Sequence, residues 1–147
     1  MAVEKLEKHE LFAPLNPREV ERLSNASGVV KLEKGQRFFS EGQPASHFFV
    51  LLKGRVELTR PAPGGSATLV DDLLNGSIFG VSSLWGGDRY LLNAECVEDA
   101  EALKIDASAL RRILDDNPVV GYAIQKRISR LFFQRYVDAT ERLEVTR

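Results

Sequence analysis

Between Gly76 and Tyr90 the chain gathers residue types that can hold an anion. Gly76, Gly80, Gly86 and Gly87 can turn backbone N–H groups toward a negative charge, as nests and helix N-termini do. Ser82 and Ser83 add hydroxyls, and Arg89 adds a guanidinium able to pair with phosphate or carboxylate. Tyr90 follows, an aromatic that either stacks on a ring or packs in a core. Plainer readings stand beside these. Glycines also merely shape turns, and Asp88 beside Arg89 makes a solvated ion pair.

No catalytic constellation accompanies them. No Ser/His/Asp grouping carries a signature, and no ligand pair has metalloprotease spacing, so neither an enzyme nor a metal site is expected. A lone cysteine, Cys96, leaves no internal disulfide and reads as a buried strand residue. Basic and acidic side chains number 20 and 21, so bulk charge does not draw the chain to nucleic acid. No apolar run approaches the ~20 residues of a membrane span. The start, Met1 to Lys8, is charged and lacks the apolar centre of a signal peptide. A cytoplasmic location is expected.

The elements that must position these residues read as a β-rich middle between helical ends. One domain is expected over 1–147: N-terminal helices over 1–28, a β-roll over 29–105, then a hinge and long helix over 106–147. Asn16 caps a helix, Pro17 suits its first position and Glu19 completes a capping box. Leu6, Leu11 and Phe12 suggest a shorter helix before it.

Glycines then divide the chain into short segments: Val29–Leu32, Arg37–Ser40, Phe48–Leu52, Val56–Arg60, Ala67–Leu73, Tyr90–Cys96 and Ala102–Ile105. Arg55 to Thr59 alternates as a half-buried strand should, and Pro61 to Ser66 is a turn. Short strands at close spacing predict a sandwich or barrel. Asp106 caps a helix that Asn117-Pro118 interrupts before the last one. There Ile124, Ile128, Phe132, Tyr136, Ala139 and Leu143 recur at steps of three and four. That stripe predicts the seam of a homodimer.

Gly42-Gln43-Pro44-Ala45-Ser46-His47-Phe48-Phe49-Val50-Leu51-Leu52-Lys53-Gly54, preceded by Gly35, resembles the first signature of the cyclic-nucleotide-binding domain. Phe79-Gly80, with Ser83 and Leu84, resembles the opening of that family's phosphate-binding cassette. The resemblance spans roughly residues 5–145. It implies an α+β, mainly β fold: a double-stranded β-helix, or jelly roll, of about eight short strands. N-terminal helices and a long C-terminal helix flank the roll.

The resemblance also implies a cyclic nucleotide, cAMP or cGMP, held by a glutamate on the ribose and an arginine on the phosphate. Val81 and Tyr90 occupy those two positions here, with Leu91 and Leu92 following. Arg89 stands one residue early, which on a strand is the opposite face. The family's base-contacting positions fall near Arg135 and Tyr136, as a donor and a stacking ring, unless both belong to the dimer seam. Gas-sensing relatives of the fold raise haem, but His9, His47 and Cys96 share no ligand spacing, so haem is not expected.

Related bacterial transcription regulators carry a helix-turn-helix after the long helix, whereas this sequence stops at Arg147. The expectation is a stand-alone sensor-type domain without autonomous DNA binding. Two functions fit. In the first, a small anionic ligand touches Phe79, Gly80, Val81, Ser82, Ser83, Arg89, Tyr90, Leu91, Arg135 and Tyr136. It then moves the Pro118 hinge and the long helix, changing the dimer or a contact with another protein. In the second, Val81, Leu91 and Leu92 fill the pocket, and the domain serves dimerisation or docking without a ligand. An open or a filled roll separates the two.

Overall fold

The computed structural model describes residues 2–62 and 64–145, with side chains as far as residue 142. Pro63, Arg147 and the Leu143 side chain lie outside it. Helix α1 (Ala2–Lys8) and a 3₁₀ turn (Glu10–Phe12) lead into α2 (Pro17–Asn25). The capping box forms as its sequence dictates: the Glu19 amide donates to Asn16 Oδ1 at 2.8 Å, and the Asn16 amide donates to Glu19 Oε1 at 2.9 Å.

Eight strands follow, β1 (Ser27–Leu32), β2 (Arg37–Phe39), β3 (His47–Lys53), β4 (Val56–Pro61), β5 (Ala67–Leu73), β6 (Ile78–Phe79), β7 (Asn93–Cys96) and β8 (Ala100–Asp106). They form two antiparallel sheets, ordered β1-β8-β3-β6 and β2-β7-β4-β5. This is the predicted jelly roll. The short β6 has no signal of its own, since two residues show no alternation. The segment predicted over Tyr90–Cys96 is a strand only from Asn93, because Tyr90 to Leu92 turn back toward Gln43.

The run Phe48-Phe49-Val50-Leu51 is apolar throughout because β3 is buried on both faces. Phe48 and Val50 pack against the helices with Leu6, Phe12, Leu23, Leu103, Leu110 and Ile113. Phe49 and Leu51 point the other way, into the roll, with Phe39, Val56, Phe79 and Cys96. Two cores share one strand.

Asp106 caps α3 (Ala107–Asp116) by accepting the Ser108 amide at 2.9 Å. Asn117 separates it from α4 (Pro118–Val145). The hinge is tied back to the first helices, since Asn117 Nδ2 donates to Glu19 Oε2 at 3.2 Å.

His47 begins β3 beside Asp106 on β8. Burial chiefly, then Lys104, holds its imidazole below the ordinary value of 6.5, against the pull of Asp106. Burial pushes the Asp106 carboxyl up, but hydrogen bonds from Ser108 outweigh it and leave the group below 3.8. The native state therefore binds fewer protons at both groups than the unfolded chain does. The His47 contribution is present above 6.5 and fades as pH falls below it. That of Asp106 fades only below 3.8. A His47→Gln variant should lose less of its thermal midpoint than the parent between about pH 7 and about pH 5; equal losses would show that His47 does not set this slope.

Candidate functional site

Inside the mouth of the roll lies a cavity of about 290 Å³, walled by both sheets, the turn after β6 and one face of α4. Its walls are largely apolar: Phe39, Leu58, Val70, Phe79, Val81, Leu91, Leu92 and Phe132. Asp71, Ser82, Tyr90 and Arg135 supply the polar groups. The roll is open rather than filled, and Val81, Leu91 and Leu92 line the space instead of occupying it.

Gly80 makes the floor possible. Its φ is +72°, and an added Cβ would lie 2.9 Å from Phe39 Cε2 and 3.1 Å from Phe49 Cδ1. Only glycine lets the chain turn that close to the aromatic cluster. The other cassette glycines do not form the predicted anion cradle. The Gly76 amide donates to the Leu51 carbonyl at 2.7 Å, and the Gly86 and Gly87 amides both donate to the Ser82 carbonyl.

Arg89 is not a displaced clamp either. Its side chain is exposed and donates to the Gly42 carbonyl at 2.7 Å, outside the cavity. Tyr90 takes the inward place, stacked 3.9 Å from the Phe39 ring, with its hydroxyl donating to the His47 carbonyl at 2.8 Å. Burial pushes the Tyr90 phenol above its ordinary range. Ser83 is buried behind the wall, where its hydroxyl reaches the His47 carbonyl at 3.4 Å. Of the predicted contacts, Phe79, Gly80, Val81, Ser82, Tyr90, Leu91 and Arg135 line the cavity, whereas Ser83, Arg89 and Tyr136 do not.

The cation facing the cavity is Arg135. It donates to the Ile78 carbonyl, lies 4.8 Å over the Phe132 ring, and sits 3.6 Å from Asp71 Oδ2. Burial lowers its affinity for a proton, partly offset by Asp71. Asp71 was not among the predicted contacts. Its signal was parity: on β5 it shares a face with Leu73, which is fully buried in the roll. Asp71 Oδ1 also lies 3.8 Å from Arg142, whose other nitrogen donates to the Val70 carbonyl at 3.1 Å. Strand β5 and the far half of α4 are thus joined through the Asp71 carboxylate and the Val70 carbonyl.

The predicted seam on α4 needs correction. Ile124 and Ile128 are buried in the chain's own core, at 0% and 4% exposure, and cannot meet a second copy. Phe132 is half-buried against Trp85 at 6.5 Å and lines the cavity. Each four-residue step overshoots a full helical turn by about 40°, so a stripe starting on the roll drifts to solvent by Tyr136. The outward face instead carries Val119, Tyr122, Phe133 and Tyr136, each at least 66% exposed.

The sequence profile of the cyclic nucleotide-binding domain matches residues 29–117, more than half of the chain. This chain belongs to the cyclic nucleotide-binding domain family. It is 24% identical over 120 residues to a CRP-like cAMP-activated global transcriptional regulator of Mycobacterium tuberculosis, covering 82% of this chain and 54% of that protein. Against a global nitrogen regulator of Nostoc it is 30% identical over 109 residues, 72% of this chain and 48% of that protein. The chain spans about half the length of these curated relatives.

The sensor domain of the transcriptional regulator DNR from Pseudomonas aeruginosa superposes with a TM-score of 0.78 at 28% identity. That match covers 90% of this chain and 89% of that one. A protein from Geobacter metallireducens, at 24% identity and a TM-score of 0.79 over 92% of this chain and 98% of that one, shares the fold. What the chain shares with the DNR sensor domain is the fold. Within it, Val81 and Tyr90 still stand where the family resemblance implies glutamate and arginine.

Proposed function

We propose that a small anionic ligand enters the roll, pairs with Arg135, and changes how α4 rests on the sheets. Arg135 carries the reading. A guanidinium in an apolar cavity is stabilised by an added negative charge, and this one is mounted on the helix that would transmit the signal. Its neighbours set the ligand's chemistry. The position of the ribose-binding glutamate is Val81, so nothing there accepts from a sugar hydroxyl. A cyclic nucleotide, cAMP or cGMP, would be held in a non-standard way, by Arg135 rather than by Arg89.

The output we assign is a contact between α4 helices of two copies, through Tyr122, Phe133 and Tyr136. Those side chains form an apolar face that a lone domain would leave in water. The role is regulatory rather than catalytic, in the cytoplasm. A ligand-free docking module is the competing reading. It draws on the apolar walls, and the open cavity counts against it.

Thermal unfolding with cAMP, cGMP and small organic acids tests the choice. Saturating ligand, at about 1,000 times its dissociation constant, adds about 4 kcal/mol and raises the midpoint by roughly 10 °C. The shift should disappear in Arg135→Gln. No shift with any anion would leave the docking reading standing; an equal shift in Arg135→Gln would place the anion elsewhere.

A further inference from the structure

Resting on that reading of Arg135, we propose that the acid group it pairs with is the carboxylate of an α-amino acid with an aromatic side chain. The ring enters the roll, and the ammonium enters a second cleft. That cleft, of about 390 Å³, lies between the 3₁₀ turn, the β5–β6 turn and α4. Phe132 and Arg135 line both spaces, so these two side chains form a common wall. Arg135 lies 4.8 Å over the Phe132 ring. Its Nε faces Asp71 and its Nη2 donates to the Ile78 carbonyl, which leaves Nη1 for a ligand without displacing either partner. A molecule paired with this guanidinium has space on both sides of the wall.

The two spaces differ in chemistry. The roll presents the rings of Phe39, Phe79, Tyr90 and Phe132, and its hydroxyls are committed: Tyr90 donates to the His47 carbonyl and Ser82 to the Arg89 carbonyl. Such walls suit an aromatic ring without polar substituents. A volume of about 290 Å³ matches the liquid volume of roughly ten waters, and so a side chain the size of a benzyl or indolylmethyl group. The cleft offers carboxylates instead, Glu10 on the turn and Asp138 on α4, with the Asn75 amide beside them. Asp138 is oriented by Gln134, whose Nε2 donates to it at 3.0 Å. His9 only closes the wall, since its Nδ1 accepts the Leu11 amide at 3.0 Å and its Nε2 meets the Gly76 carbonyl at 2.8 Å. Arg135 facing Glu10 and Asp138 is the pattern a zwitterion needs, a donor for its carboxylate and acceptors for its ammonium. On an α-amino acid the carboxylate, ammonium and side chain leave one carbon in different directions, toward guanidinium, cleft and roll. The bound molecule touches the 3₁₀ turn, the sheets and α4 at once, and so fastens the helix to the N-terminal segment.

Calorimetry on the whole chain tests this with L-phenylalanine, with 3-phenylpropionate, which lacks the ammonium, and with 2-phenylethylamine, which lacks the carboxylate. L-Phenylalanine should bind about tenfold more tightly than 3-phenylpropionate, and the amine should not bind. Glu10→Gln combined with Asp138→Asn should erase that preference while 3-phenylpropionate still binds. Both positions are exposed, so the double variant keeps the fold, which circular dichroism checks. Arg135→Gln should bind neither acid. If 3-phenylpropionate binds as tightly as L-phenylalanine, or the preference survives in the double variant, the second cleft is refuted and Arg135 keeps its role. If neither acid binds while cyclic AMP does, the aromatic amino acid is the wrong ligand class. Failure to bind any anion overturns the reading of Arg135 itself.

Discussion

Ile128→Glu is expected to unfold the domain. Ile128 is 4% exposed and packs with Ile124, Leu110, Ile113 and Phe12 between α4 and the helices below it. None of the residues in that cluster offers a charge to a glutamate placed there. Burying an unpaired carboxylate and losing the isoleucine's own packing together cost about 4 kcal/mol or more. A domain of this size has about 5–15 kcal/mol of stability in all. Denaturant unfolding should show a midpoint near zero, or no folded baseline. Phe133→Glu makes the contrast, since Phe133 is 67% exposed on the opposite face. It should leave the unfolding curve within about 0.5 kcal/mol of the parent and halve the mass in sedimentation. A stable Ile128→Glu would mean that α4 does not pack on the core as described. A Phe133→Glu protein of unchanged mass would sink the outward face as the seam.

The second large effect is expected at Gly54. It sits between β3 and β4 with φ +99°, and an added Cβ would lie 2.4 Å from the Asp99 carbonyl oxygen and 2.8 Å from Ala100 Cα. Both obstacles are backbone, so no side chain can swing aside. Gly54→Ala should cost about 4 kcal/mol, of which about 1–2 is left-handed backbone and the rest overpacking. That corresponds to a drop in thermal midpoint of roughly 10 °C. Gly35 has nearly the same φ, +90°, but open space where its Cβ would be. Gly35→Ala should therefore show the backbone part alone, about 1–2 kcal/mol. Equal losses at both positions would mean that the Gly54 turn relaxes and that its tight contact is not limiting.

These two sites mark what reading the chain can and cannot reach. Gly54 was legible as a turn, because a glycine closing an apolar run announces one, whereas the close approach of the Asp99 and Ala100 backbone was not. Ile128 was legible as apolar but not as inward. Spacing at three and four places residues along one side of a helix and leaves open which neighbour that side meets. The cassette behaved in the same way. Phe79-Gly80 and the turn after it were readable, yet Arg89 pointed out and Tyr90 pointed in, because the chain does not enter β7 until Asn93. Asp71 went unnoticed because an acid near a strand end usually faces water, and only its parity with Leu73 suggested otherwise.

The jelly roll was what the family resemblance implied; what the sequence determined by itself is the set of elements, namely the Asn16 and Asp106 caps, the Asn117-Pro118 break and the short strands other than β6. Each rests on short-range physics, namely capping hydrogen bonds, fixed or forbidden backbone angles, and apolar periods of two and 3.6 residues. The tertiary structure alone decided the site. It set the rotation of α4 on the sheets, which turned Ile124 and Ile128 inward and Tyr136 outward, and brought Arg135 and Arg142 to Asp71. That rotation is fixed by how side chains from distant segments fill common space, and no spacing within one segment contains it.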